Sequence, residues 1–145
     1  MKSILFLSLI WVIFCNIEGI RDAFTFQKGI GHFMKENGID IHSVLFLYRA
    51  VIFSILFIIS FFLPVSPFSV LLLSLAFPFF HEGAYYLSRK LIDNPDGYPK
   101  KLYAVWFYKS KTSTSRLNFP GWVRLLFFIS SIITIVYVES HQELF

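Results

Sequence analysis

Each long apolar segment of this chain contains at least one ionisable residue, and these residues are the ones that could do chemistry. Glu18 lies in the first segment, Arg49 in the second, the pair His81 and Glu82 in the third, and Arg124 in the fourth. An ionisable group at membrane depth costs about 2.5 kcal/mol or more, so it normally faces a partner or a water-filled cavity. Carboxylates near an imidazole can transfer protons or bind a metal ion. Glu18, His81 and Glu82 are therefore the candidate catalytic residues and metal ligands.

No recognised catalytic motif accompanies these residues. A zinc-binding H-E-x-x-H helix would need histidine where Tyr85 stands. His42 is the only other imidazole expected near that side of the membrane, so a two-histidine metal site has little support. The sequence also lacks a nucleophile elbow, a Walker phosphate loop and a dinucleotide fingerprint. The single cysteine, Cys15, excludes an internal disulfide and a thiolate cluster. The sequence assigns no metal or cofactor.

The elements that must position these residues are membrane-spanning helices. Of the 145 residues, 56% are hydrophobic, more than a soluble domain of this length can bury. We predict an all-α, polytopic membrane protein that forms one domain over residues 1–145, an up-down bundle of four transmembrane helices. Their lengths suit a hydrocarbon layer of about 30 Å. The predicted spans are residues 4–20, 41–64, 68–86 and 119–138, with Asp40 as an N-cap of the second and a kink at Pro78 in the third.

The charged residues should meet in one layer. In an up-down bundle, the end of the first span, the start of the second, the end of the third and the start of the fourth lie on the same membrane side. Arg49 needs an anion, and Glu18 or Glu82 are the acids expected at its depth. The network could fix helix register, or it could be a site in which His81, with Glu18, Glu82 or Asp22, binds a metal or moves protons. The predicted buried polar layer contains Glu18, Arg49, His81, Glu82, Tyr85, Tyr86, Arg89 and Arg124.

The distribution of basic residues predicts the orientation. Lysine and arginine are concentrated in the two long loops, about residues 21–40 and 87–118, whereas the turn between spans two and three has none. The positive-inside rule therefore places both loops in the cytoplasm and both termini outside, in what we expect to be a bacterial inner membrane. Cleavage of the first span as a signal peptide would force the first basic loop outward. An uncleaved first span fits better, although the sequence does not settle its retention.

The second loop mixes aromatic and basic residues. We expect it to lie on the membrane surface, with its rings at the boundary and its cations near anionic headgroups. A nucleic-acid partner is disfavoured by the adjacent spans, and the hydroxyl-rich stretch 110–115 is interpreted as a solvated linker rather than a phosphate grip. The predicted headgroup-binding residues are Lys100, Lys101, Trp106, Lys109, Lys111 and Arg116.

Several short motifs occur in order along the chain: Glu18-Gly19-Ile20-Arg21-Asp22-Ala23, the segment from His81 to Arg89, Tyr98-Pro99, and the segment from Ser110 to Thr114. Together they resemble a group of small multi-pass membrane proteins of bacteria and their phages. The resemblance covers most of the chain and implies a membrane protein. It implies no activity, ligand or catalytic residue.

Three functions are compatible with the sequence. The first is a non-enzymatic bundle that organises the membrane or recruits a protein partner. The second is a membrane-embedded enzyme acting on a lipid or lipid-linked phosphate, with or without a metal. The third is a transporter or pore, which would require a homo-oligomer because four spans are few for a pore. The absence of a catalytic motif favours the first.

Overall fold

The computed structural model describes residues 2–27, 36–38, 40–93, 106 and 119–141, and every regular element among them is helical. The third predicted span consists of two helices joined by a short 3-10 turn. The elements are α1 (Lys2–Gln27), α2 (Ile41–Ser60), α3 (Pro67–Leu73), the 3-10 turn (Ser74–Ala76), α4 (Phe77–Asp93) and α5 (Gly121–His141).

Four helical segments are long and apolar enough to cross a membrane: Lys2–Phe26, Ser43–Ser60, Pro67–Ile92 and Gly121–His141. Their outward faces carry large apolar side chains, such as Phe46 at 73% exposure on α2. Contiguous apolar surface of this extent suits contact with lipid chains. The prediction of an all-α fold with four candidate spans is confirmed, whereas the up-down order and the interfacial loop stay predictions.

Local sequence signals set several helix ends. Gly38 has a φ of 75°, as its turn before α2 requires. The Asp40 carboxylate, at the predicted cap position, accepts a hydrogen bond of 2.6 Å from the Ser43 hydroxyl. Helix α2 ends at Ser60 rather than Pro64, and residues 61–64 form turns. Leu63 precedes Pro64, and a residue before a proline avoids helical backbone angles because they bring it too close to the proline ring. Helix α1 continues to Gln27, well past the predicted end at Ile20.

Pro78 interrupts the third span, as predicted. Its ring lacks an N–H and clashes with a carbonyl one turn earlier, so the chain forms the 3-10 turn just before it. Side chains of neighbouring helices bind two carbonyls near this break. The Trp11 indole donates a hydrogen bond of 2.7 Å to the Leu73 carbonyl oxygen. The Ser131 hydroxyl donates one of 2.8 Å to the Leu72 carbonyl oxygen. Where a membrane helix is interrupted, side chains of neighbouring helices can form hydrogen bonds with its backbone carbonyl groups in this way.

Small residues allow α1 and α4 to pack closely. Cys15, Gly19 and Ala23 recur every four residues along α1, and all three are buried. A Cβ at Gly19 would overlap the His81 carbonyl oxygen and lie 3.0 Å from the Ala84 side chain. Such small-residue stripes let helix backbones approach each other in membranes. This approach brings the acids of α1 beside His81 of α4.

Contacts along the chain give the relative directions of α5 and the third span. The Ser66 backbone N–H donates to Glu139 at 3.1 Å, Ser131 binds Leu72, and Arg124 lies beside Glu82. In these three pairs, the residue number increases along the third span while it decreases along α5. These two spans are therefore antiparallel, which brings the start of α5 to the charged end of α4.

Candidate functional site

Five charged or titratable side chains from three helices form one group, which we call the Arg49 cluster: Glu18, Arg21, Asp22, Arg49 and His81. The Arg49 guanidinium binds Asp22 through Nη2. It also contacts Glu18 through Nε at 3.3 Å. The same Nη2 lies 3.1 Å from Nε2 of His81. Arg49 thus joins α2 to both α1 and α4.

Helix geometry places the α1 members of the cluster together. Glu18 and Asp22 are four residues apart and therefore share a face, and Arg21 lies beside both. The Arg21 guanidinium contacts Glu18 at 2.5 Å and Asp22 at 3.0 Å. Each acid of α1 therefore contacts two arginines, one from its own helix and one from α2.

The His81 ring is held from two sides. It stacks on Phe77, one turn earlier on α4, with ring centroids 4.6 Å apart. Its Nε2 lies 3.1 Å from the Asp22 carboxylate. Arg49 also passes over Phe77, with 5.2 Å between the guanidinium carbon and the ring centroid. The stacking fixes the imidazole between an acid and a guanidinium.

The acids of the cluster are buried, and their negative charges are balanced by two arginines. The carboxylates of Glu18 and Asp22 are 3% and 5% exposed, whereas the side chains of Arg21 and Arg49 are 36% and 22% exposed. Two acids face two arginines, so the cluster is neutral when His81 is neutral. Buried carboxylates of this kind require paired charges and hydrogen bonds. The cluster supplies both.

A second charged pair lies at the other side of α4. Arg124 of α5, whose side chain is fully buried, lies 3.4 Å from the Glu82 carboxylate. The Arg124 guanidinium also lies over the Tyr86 ring, 5.6 Å from its centroid. Tyr86 in turn packs edge-on against Tyr85, with ring centroids 5.2 Å apart. His81 and Glu82 are adjacent in sequence, but their side chains face different helices. His81 contacts Asp22 of α1, whereas Glu82 contacts Arg124 of α5.

The structure confirms Glu18 as a partner of Arg49, adds Asp22 and excludes Glu82 from this pairing. Glu82, the other acid proposed for Arg49, pairs with Arg124. The predicted polar layer does not include Arg21 or Asp22, which lie beyond the predicted end of the first span at Ile20, although Asp22 is among the acids proposed to act with His81. The spacing of Glu18 and Asp22 on one helical face was the signal available in the sequence. Arg89, a predicted member of the layer, is half-buried near the end of α4.

Of the predicted headgroup-binding residues, only Trp106 lies within the described part of the chain. Its indole packs on Gly83 of α4, where a Cβ would overlap the ring. It also lies 6.0 Å from the Phe79 ring, measured between centroids. Trp106 therefore contacts the helix bundle directly. Its predicted partners fall outside the described residues: Lys100, Lys101, Lys109, Lys111 and Arg116.

The Arg49 cluster suits mutual neutralisation better than metal coordination. Within residues 2–27, 36–38, 40–93, 106 and 119–141, no group of three His, Cys, Asp or Glu side chains could hold a metal ion. The His81 nitrogen that faces the acids also faces a guanidinium, which would repel a cation. The candidate metal ligands Glu18, His81 and Glu82 do not converge, because Glu82 turns toward α5.

Comparison with known proteins gives no match: no family model, no curated protein and no solved structure is similar to this chain.

Proposed function

We propose that the protein is a small integral membrane protein without catalytic activity, in which charged side chains hold four helices in a fixed arrangement. The observation that carries the proposal is the contact pattern of the acids. Glu18 and Asp22 each contact both Arg21 and Arg49, and Glu82 contacts Arg124. An acid engaged by guanidinium groups is poorly suited to act as a base or a metal ligand.

The membrane environment gives these ion pairs their importance. Lipid chains are as apolar as leucine, so helices within a bilayer gain little from burying apolar side chains against each other. Packing of small residues and polar contacts between helices must supply the association energy. Gly19 supplies the first kind of contact, between α1 and α4. Arg49 supplies the second, between α2 and those two helices.

The proposed role of this bundle is to present its two basic loops to the cytoplasm. The loops would contact anionic headgroups and recruit a protein partner, with both termini outside. The distribution of lysine and arginine in the sequence supports this orientation. The apolar outer faces of the described helices support integration into the bilayer.

Cysteine labelling in intact cells tests the orientation. Asn37 and Ser140 are exposed, and the native Cys15 is buried with 0% exposure, so it should react little. In separate Asn37→Cys and Ser140→Cys variants, a membrane-impermeant maleimide should label position 140 in intact cells and position 37 only after lysis. The reverse pattern would contradict the proposed orientation.

Lipid analysis tests the absence of catalysis. Cells that express the wild-type protein should have the same lipid and lipid-linked phosphate pools as cells that express His81→Gln at equal abundance. A pool that changes with the wild-type protein, and does not change with an equally abundant His81→Gln variant, would identify an enzyme and overturn the proposal.

A further inference from the structure

Helix α2 depends on the Arg49 cluster for much of its attachment. It has the smallest buried share of the four candidate spans. Toward its C-terminal end it is held by apolar packing, where Leu56 is buried and Phe53 lies against Trp11 with ring centroids 5.1 Å apart. In its N-terminal half, the contacts of Arg49 with Glu18, Asp22 and His81 attach it to the bundle. The neighbouring Tyr48 adds contacts with Phe14 and Arg21. A change in the contacts of Arg49 would therefore act on this half of α2.

The triangle of Asp22, Arg49 and His81 admits two hydrogen-bonding states. Nε2 of His81 lies 3.1 Å from Arg49 Nη2 and also 3.1 Å from Asp22 Oδ2. When the neutral ring carries its single proton on Nδ1, Nε2 can only accept, and Arg49 is the donor. With a proton, Nε2 can only donate, and Asp22 is the acceptor. One nitrogen atom cannot make both hydrogen bonds at once.

We propose that His81 and Asp22 form a proton-binding site, and that uptake of a proton loosens the attachment of α2 through Arg49. The proton adds to Nε2 of His81, and the new N–H donates to Asp22. Arg49 then loses His81 as a hydrogen-bond acceptor and shares the Asp22 carboxylate with it. The cationic imidazole also repels the Arg49 guanidinium. The net charge of the cluster changes from zero to plus one. The proposal extends the clamping role of the charges argued above and rests on it.

The groups around His81 are consistent with such a site. Helix α1 contributes Glu18, Arg21 and Asp22, and helix α2 contributes Arg49. On α4 itself the adjacent Glu82 faces Arg124 of α5, so this pair does not compete for the imidazole. The side chains of Arg21 and Arg49 are 36% and 22% exposed, so the cluster is not sealed inside the bundle.

A protein with His81 as its sole histidine tests the site directly. The other histidines, His32, His42 and His141, are replaced by glutamine, and the ring nitrogens of His81 are followed by NMR in lipid nanodiscs between about pH 8 and pH 5. The nitrogen shifts should change from neutral to cationic values over this range. Over the same range, the melting midpoint should fall by about 3 °C or more. Constant nitrogen shifts would overturn the proposal.

Two variants separate the proton site from the clamp. His81→Gln should lose the pH dependence of the melting midpoint, whereas His141→Gln, at the exposed end of α5, should retain it. An unchanged pH dependence in His81→Gln would overturn the proton site. Arg49→Gln at pH 8 tests the clamp alone: a lower midpoint supports the clamp whatever the titration shows. If Arg49→Gln left the midpoint unchanged, the clamp and the proton site would both fail.

Discussion

Gly19 of α1 lies directly against the backbone carbonyl of His81 on α4, with no space for a β-carbon between the two helices. This contact sits one residue from Glu18 and three from Asp22 on α1. The same close approach therefore sets the helix spacing and the distance between the acids and the imidazole. Packing and electrostatics of the cluster cannot be changed independently at this position.

Substitution of Gly19 should weaken both the packing of α1 against α4 and the ion pairs of the Arg49 cluster. In Gly19→Ala, the new methyl group overlaps the His81 carbonyl oxygen, which is backbone and cannot rotate away. Overpacking of this kind costs about 1–3 kcal/mol. The measurement is the free energy of unfolding in mild detergent. Ala50→Leu is the control, since it adds more bulk at an exposed position of α2 and should change little. Equal stability of Gly19→Ala and the wild type would show that α1 and α4 leave space for a β-carbon at position 19.

The contact between Trp106 and Gly83 predicts a non-additive pair of substitutions. Gly83→Ala should destabilise the protein because its methyl group meets the indole. In a Trp106→Ala background the same change should cost little, because the clashing ring is gone. Thermal unfolding of the two single variants and the double variant measures the difference. Strict additivity would mean that Trp106 does not pack on α4.

The hydrogen bond from Trp11 to the Leu73 carbonyl oxygen predicts a cost for Trp11→Phe. The variant keeps an aromatic ring but leaves a buried carbonyl without its donor, which costs about 1–3 kcal/mol. Trp122→Phe is the matched control, since Trp122 is 65% exposed. Chemical denaturation in detergent compares the two. Similar stabilities would indicate that another donor binds the Leu73 carbonyl.

Removal of Arg124 should be more harmful than removal of both members of its pair. Arg124→Leu leaves Glu82 buried without its guanidinium, and breaking a buried ion pair in this way costs about 3–5 kcal/mol. The double variant Arg124→Leu/Glu82→Leu also removes the acid and should recover part of the loss. Abundance of each variant in isolated membranes gives the ranking. A double variant less abundant than Arg124→Leu would contradict the pairing.

Periodicity and composition predicted the helices well, because a run of about twenty apolar residues has few structural alternatives in a membrane. The 3-10 turn before Pro78 follows from the missing N–H of the proline. The sequence predicts one of the two acids that Arg49 contacts, Glu18. Helical spacing puts Asp22 on the same face as Glu18, but the fall in hydropathy after Ile20 hides the continuation of α1 to Gln27. The contact of Gly19 with α4 depends on which helices become neighbours, and hydrophobic periodicity does not specify those neighbours.

We propose that the ion pair between Arg49 and Asp22 holds α2 to α1, and a double-mutant cycle measures the interaction of these two side chains. The free energies of unfolding of Arg49→Gln, Asp22→Asn and the double variant are compared with that of the wild type in the same detergent. We predict a coupling energy of about 1–3 kcal/mol between the two positions. A coupling energy near zero, with both single variants as stable as the wild type, would show that this ion pair does not hold α2 to α1.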